Sequence, residues 1–406
     1  MTPALLLRIF LPFAAGYFLS FLFRVVNAVL APHLLHDLGM GASTLGLLTA
    51  TYFIAFASAQ LPLGVLLDRY GPRRVEALLL LIAAGGAFCF ARAESVPLLI
   101  VGRALIGLGV SACLMAAFKA FTQWFSPQKL PLINGLQMAA GGLGALAATS
   151  PVQWMLTWSN WRGVFIGLAV LTVMVSALVF LVVPAQESKG AEESLAQQMR
   201  GITEVFTSPL FWRVAPLTAL SQGTFYAIQG LWAGPWLKAV DRLTPQAVVD
   251  GLFWLAVAMV AGFIVLGSLG GRLQRWGISV RTSAVAGMGL FIVIQAALLL
   301  GPQSWHRVLW LLFGFFGTSG ILTYATLSQD FSPRLSGRVN TALNLLVFVA
   351  AFIGQWLIGI VAGCWPEPEP GRLAAIGLRL GFAVLLVAQV AALLWSLSTR
   401  PGRQEG

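Results

Sequence analysis

Three basic side chains, Arg24, Arg103 and Lys119, fall inside long apolar runs of a 406-residue chain. No Asp or Glu falls near the middle of any such run; Asp68, Glu76, Asp250 and Asp330 all stand at the ends. A basic group at the centre of a bilayer costs about 2.5–3.5 kcal/mol on insertion scales, so it faces a partner or a polar cavity. A hollow with fixed positive charge and no carboxylate attracts an anion and repels a cation. Arg24 stands eight residues before Pro32, about 12 Å along a helix and so near mid-depth. Tyr17, Phe21 and Arg24 share one helical stripe, with Asn27 beside it. A guanidinium there offers a planar fork to carboxylate, nitrate or phosphate oxygens; the alternative is a structural partner for backbone carbonyls. Lys119 and Arg103 lie sixteen residues apart, roughly 160° around a helix, so one cavity cannot receive both squarely. Tyr226 and Gln229 share a face with Gln222 and Trp236, which suits a polar and aromatic lining. His33, His36 and Asp37 have the spacing of a metal site, but Pro32 is expected to end the helix there and leave them in a solvated loop.

The elements that hold these groups follow from composition. The chain is 58% hydrophobic and 10% charged, with a mean hydropathy of +0.85. A water-soluble domain carries about 25% charged residues, so lipid must cover this surface. Apolar runs bounded by Gly, Pro or charge predict twelve transmembrane helices, at 10–32, 44–67, 75–92, 97–122, 132–156, 161–183, 213–237, 247–271, 281–300, 305–327, 339–361 and 374–398. The fold class is therefore an all-α polytopic membrane protein. Two six-helix bundles, 1–183 and 213–406, are expected on either side of a polar linker, 184–212, which carries Glu187, Lys189, Glu192, Glu193 and Arg200. The run after Arg8 has no small-residue cleavage site and reads as the first span. With the N-terminus in the cytoplasm, fifteen Lys/Arg fall on inner segments and seven on outer ones, as the positive-inside rule requires. The expected location is the cell membrane, the inner one in a bacterium, with both termini cytoplasmic. The net charge of +11 is thus explained without nucleic acid. The three cysteines are scattered, and no cofactor or metal is expected.

The halves also repeat. At a constant offset of 206 residues, Phe125 and Asn134 recur as Phe331 and Asn340, and Gly64, Arg69 and Gly71 recur as Gly270, Arg275 and Gly277. Parallel repeats of this kind place a substrate site between halves near the bilayer midplane.

The loop that carries Gly64, Asp68, Arg69, Gly71, Arg73 and Arg74 closely resembles the signature loop of the major facilitator superfamily. In that family its Asp and Arg belong to a charge latch that closes the inner gate. Pro72 stands where many members carry a basic residue, and Gln274 replaces Asp68 in the repeat copy. Arg103, with Gly107 and Gly109, resembles the family's second motif, whose arginine is an inter-helix or coupling residue. The run from Phe23 to Pro32 is similar to the first helix of anion-transporting members, where the arginine contacts the substrate carboxylate. In those relatives an Asp commonly precedes that arginine; here it is Phe23. The resemblance covers the whole chain and implies a monomeric secondary transporter working by alternating access.

Together these readings predict a transporter of a small organic or inorganic anion, lined by Arg24, Lys119, Tyr17, Phe21, Asn27, Tyr226 and Gln229. A co-transported proton would need the substrate's own charge, a histidine or another group. Export of a neutral or amphipathic compound is the rival within transport; a non-transporting receptor or assembly factor is the rival outside it. An enzyme is not expected, because no nucleophile–base set lies within the spans.

Overall fold

The computed structural model of the chain describes residues 5–126, 129–185, 195–275, 279–331, 335–366 and 373–398. The middle of the predicted linker, including Glu187, Lys189, Glu192 and Glu193, lies outside the described residues, as does the Asp68 side chain. Every long element is helical. A π-helical turn at Leu6–Phe10 leads into α1 (Leu11–Val25) and α2 (Asn27–Leu38). There follow α3 (Ala42–Tyr70), α4 (Pro72–Arg92), α5 (Val96–Gly109), α6 (Cys113–Trp124), α7 (Leu130–Ala147), α8 (Ser150–Trp158) and α9 (Trp161–Val182). Next come α10 (Leu195–Thr207), α11 (Pro209–Ala227), a second π-helical turn (Ile228–Trp232) and α12 (Ala233–Ala239). The remainder is α13 (Pro245–Arg275), α14 (Val280–Leu300), α15 (His306–Phe316), α16 (Ile321–Gln329), α17 (Ser336–Gly363) and α18 (Ala375–Ser398).

Among the described residues, ten helical stretches are long and apolar enough to cross a membrane. The other two predicted spans, 132–156 and 213–237, are interrupted. The first is divided between α7 and α8 around Thr149, just before Pro151, which has no N–H to continue a helical ladder and biases its predecessor away from helix. The second is interrupted by the π-turn ahead of Pro235. Predicted spans 4 and 10 also break, at 110–112 and 317–320, positions that correspond closely under the 206-residue repeat.

The first span departs from expectation at its end. Pro32 does not stop the helix but lies inside α2, and the interruption falls at Val26. Proline at 32 leaves the carbonyl four residues earlier, on Ala28, without its helical donor. Gly234 packs on that carbonyl: a Cβ there would come within 2.5 Å of Ala28 O. The extra helical turns carry His36 and Asp37, so they are not in a loop. Asp37 accepts hydrogen bonds from His36 Nδ1 (3.1 Å) and Trp161 Nε1 (3.0 Å), tying α2 to α9. The His36 contact, then Trp161, holds the Asp37 carboxyl below its ordinary range. The helix ends at Gly39, whose φ of 58° is left-handed.

Large side chains such as Leu78, Phe88, Leu181, Val387 and Leu394 are exposed, an apolar surface of the kind that faces lipid tails. Trp212 and Trp395 sit at helix ends, the latter donating to Trp212 O at 3.0 Å, as interface tryptophans do. Helices from early and late in the chain meet chiefly as α3 on α17, α7 on α13, and α2 on the second π-turn and α12. On the face that holds residues 39–41 the α3–α17 contact is closed by glycine. A Cβ on Gly46 would stand 3.1 Å from Gln355 O and 3.2 Å from both Gly359 Cα and Trp232 Cζ2. The Trp232 indole, which donates to Gln355 O at 2.8 Å, caps this seam. Such backbone approach is available only to small residues.

Gly46→Trp cannot fit this seam and should hold the 39–41 face open. The check uses Ala28→Cys in a protein without native cysteines, with impermeant maleimide on that face. Labelling should rise several-fold with Gly46→Trp; unchanged labelling would show that the glycine contact does not close the face.

Candidate functional site

Arg24 lies in the last turn of α1, beside the interruption, and is almost fully buried. Four aromatic rings surround its guanidinium. The distances from Cζ to the ring centroids are 4.4 Å for Phe21, 4.9 Å for Tyr226, 5.1 Å for Phe348 and 5.7 Å for Phe56. These rings come from α1, α11, α17 and α3, so both early and late helices supply the cage. Phe56 and Phe348 stack at 4.1 Å, and Tyr226 stacks on Phe348 at 5.7 Å. A desolvated cation–π contact is worth about 2 kcal/mol, and here such contacts stand where a counter-ion would be. Among the described residues no carboxylate pairs with Arg24, and its buried Nε has no hydrogen-bond partner. The group therefore keeps hydrogen-bonding capacity that the protein does not use.

The neighbouring residues of the predicted stripe divide. Tyr17 is edge-on to Phe21 at 5.1 Å, with its hydroxyl 3.7 Å from Met138 Sδ. Asn27 donates to Thr49 Oγ1 at 3.0 Å, joining α2 to α3. Tyr226 joins the cage, and Gln222, one turn earlier on α11, shares its face; Gln229 and Trp236, within and beyond the π-turn, are shifted because that turn changes the helical phase. Gln222 donates to Gly317 O at 2.7 Å, Gln229 faces Met259 Sδ at 3.0 Å, and Trp236 stacks on Phe382 at 4.4 Å. Lys119 is half-buried, well along α6 from its start at Cys113.

Arg103 is fully buried and turned to the backbone. Its Nη1 donates to Phe23 O at 2.9 Å, one of the terminal carbonyls that the end of α1 leaves without helical partners. The guanidinium also lies 5.2 Å from the Tyr52 ring, whose hydroxyl donates to Ser20 O at 3.1 Å. Arg103 and Tyr52 thus fix the backbone on which Arg24 is mounted.

At the opposite face, Gly71 takes a φ of 78° between α3 and α4, a conformation that favours glycine. Arg73 Nε donates to Phe180 O at 2.7 Å, with its guanidinium over that ring at 4.7 Å. Arg69 lies over Tyr70 at 5.4 Å, while Arg74 and Gly64 are exposed. With Gln123 and Trp124, the loop arginines line a cavity of about 560 Å³.

Four residues of the central region lie outside the predicted lining. Phe56 and Phe348 complete the Arg24 cage, and phenylalanine in a span is indistinguishable from packing. Gln60 and Asn344 bridge α3 and α17, Asn344 Nδ2 donating to Gln60 Oε1 at 2.9 Å, while Tyr324 donates to Asn344 Oδ1 at 3.1 Å. Amides within apolar runs are a visible signal, and those two were open to notice.

The chain belongs to the Major Facilitator Superfamily, whose pattern matches residues 13–355. It is a multi-pass membrane protein and a transporter of that superfamily, not an enzyme. It is 24% identical, over 94% of its length and 91% of the relative's, to the "Hexuronate transporter" of Escherichia coli K12. To the "Probable sulfoacetate transporter" of Cupriavidus necator it is 28% identical over 157 residues, covering 39% of this chain and only 36% of that relative. The fold agrees with the crystal structure of a bacterial homolog of the human lysosomal transporter Spinster, in its inward-facing and occupied conformation. That agreement has a TM-score of 0.77 at 18% identity, over 96% of this chain and 95% of the other.

Arg103→Ala leaves Phe23 O uncapped and a void beside Tyr52, at a cost of about 2–4 kcal/mol. The purified variant should melt several degrees below the parent, whereas Arg24→Gln should melt close to it. Equal melting of Arg103→Ala and the parent would remove Arg103 from this supporting role.

Proposed function

We propose that the transporter carries a small anion by alternating access, as a secondary active or facilitative carrier, and that Arg24 is its ligand. One observation carries the reading: a buried guanidinium, caged by rings from early and late helices, with no acidic partner among the described residues and an unused Nε–H. An entering carboxylate or oxyanion supplies the missing charge and acceptors together. A cation entering the same place meets repulsion. The names of the two relatives support this reading, since hexuronate and sulfoacetate are both anions. The rings of Phe21, Phe56, Tyr226 and Phe348 surround the charge with hydrocarbon, which favours a carboxylate with an apolar or planar body over a polyhydroxylated one. Phe21 and Tyr226 lie against Arg24, and Tyr17 packs edge-on to Phe21 beside them; Asn27, Gln229 and Lys119 belong to the wider path.

In this reading the chain has twelve spans in two six-helix halves, 1–183 and 213–406, joined by the linker 184–212. Both termini are cytoplasmic, and the 39–41 face is external. The loop with Gly64, Asp68, Arg69, Gly71, Arg73 and Arg74 works the inner gate, and Arg103 couples helices behind the site. The protein acts as a monomer.

Purified protein in liposomes should show anion flux. Arg24→Gln should lower it at least tenfold while leaving expression and melting temperature near those of the parent. Undiminished flux in that variant would take Arg24 out of the site.

A further inference from the structure

Glu76 stands five residues after Gly71, near the start of α4. The sequence places it at a span end, where a carboxylate would reach headgroups and water. The structure turns it inward instead: its side chain is fully buried among α1, α4 and α6. Gly16 of α1 makes the space, since a Cβ at that position would collide with Glu76 Oε1 and lie 3.7 Å from Cys113 Sγ. Both Glu76 oxygens are buried, and beyond the weak Cys113 thiol no hydrogen-bond donor reaches them among the described residues.

The groups on the surrounding helices are engaged elsewhere. On α1, Arg24 is held in the ring cage and the Tyr17 hydroxyl faces Met138. On α3, Tyr52 donates to Ser20 O, and on α5, Arg103 donates to Phe23 O. On α9, Ser176 donates to Ala77 O at 2.7 Å, and Arg162 lies over Trp161 at 4.1 Å. From α6, Cys113 is the titratable neighbour. Among the described residues, then, no cation neutralises this carboxyl group. Desolvation penalises an isolated carboxylate heavily and the neutral acid far less. A group in that position changes charge when the helices around it part and admit water.

Two features connect it to the transport cycle. Cys113 is the first residue of α6, directly after the interruption at 110–112, where a span can bend. Gly16 precedes Tyr17, and the stripe from Tyr17 through Phe21 ends at Arg24. Gly16 and Arg24 are thus on one helix, and a movement of α1 that opens the bundle also uncovers Glu76.

We propose that Glu76 is a proton-binding site of this transporter, protonated while α1, α4 and α6 are packed as here and deprotonated when they separate. The step breaks the acid O–H bond, leaves the electron pair on the carboxylate and passes the proton to water. This inference rests on alternating access but not on the choice of anion at Arg24.

Infrared difference spectroscopy on the full chain in lipid nanodiscs tests it without any solute. Spectra are compared between about pH 5 and about pH 10, a window wide enough for a buried carboxyl group. The expected result is a buried-acid C=O band present at the acid end, lost at the alkaline end and absent in Glu76→Gln. A Glu76→Asp protein, expected to keep the band at a shifted frequency, supplies the assignment if the Gln variant does not fold. A spectrum with no band that both titrates and depends on residue 76 overturns the proposal, whether the group is permanently protonated or permanently ionised. Anion flux that fails while this band titrates would sink the reading of Arg24 and leave Glu76 standing.

Discussion

A guanidinium buried in a helical bundle without a counter-ion is the constraint around which this protein is organised. Charge at that depth requires compensation. The compensation here comes from the faces of four aromatic rings, which stabilise a cation without saturating its N–H groups. An acidic partner would neutralise the site and leave nothing for an anion to gain. On the proposed reading, the ring cage holds the charge ready for an incoming anion. Because its rings come from α1, α3, α11 and α17, the cage also reports how the early and late helices are arranged.

The rest of the fold serves that placement. α1 is interrupted close to Arg24, and the interruption leaves a terminal carbonyl that Arg103 caps from α5. Tyr52 fixes the same backbone from α3. On the 39–41 face, Gly46, Gly359 and Gly234 let backbones meet so closely that the seam closes without interlocking side chains. Contacts made by glycine carry little side-chain entropy cost and separate without unthreading large groups. That is a suitable seam for a gate that opens repeatedly.

Much of this was legible in the sequence, for physical reasons. Lipid demands long apolar helices, so composition gave the class of protein, and the run from Gly64 to Arg74 gave the family. Arg24 stood out because charge in an apolar run is costly. Its aromatic company was half visible: Phe21 and Tyr226 follow from helical spacing, while Phe56 and Phe348 become partners only through tertiary packing. Gln229 shares a face with Tyr226 at a regular period of 3.6, which does not foresee the π-turn that sets its amide against Met259. Pro32 reads as a terminator in sequence, yet the neighbouring Gly234 accommodates the carbonyl it frees. Glu76 was hidden by its place at a span end, since the space for its carboxyl group depends on Gly16 of another helix.

The central claim is that the bundle offers unneutralised positive charge to its cargo. The most direct measurement is a thermal-shift screen of the purified protein at constant ionic strength. It should include aromatic and aliphatic carboxylates, sugar acids, nitrate, phosphate, neutral sugars and quaternary amines. The account predicts that anions alone raise the melting temperature, carboxylates with apolar bodies most. Stabilisation by amines or neutral sugars, with none by any anion, would contradict it.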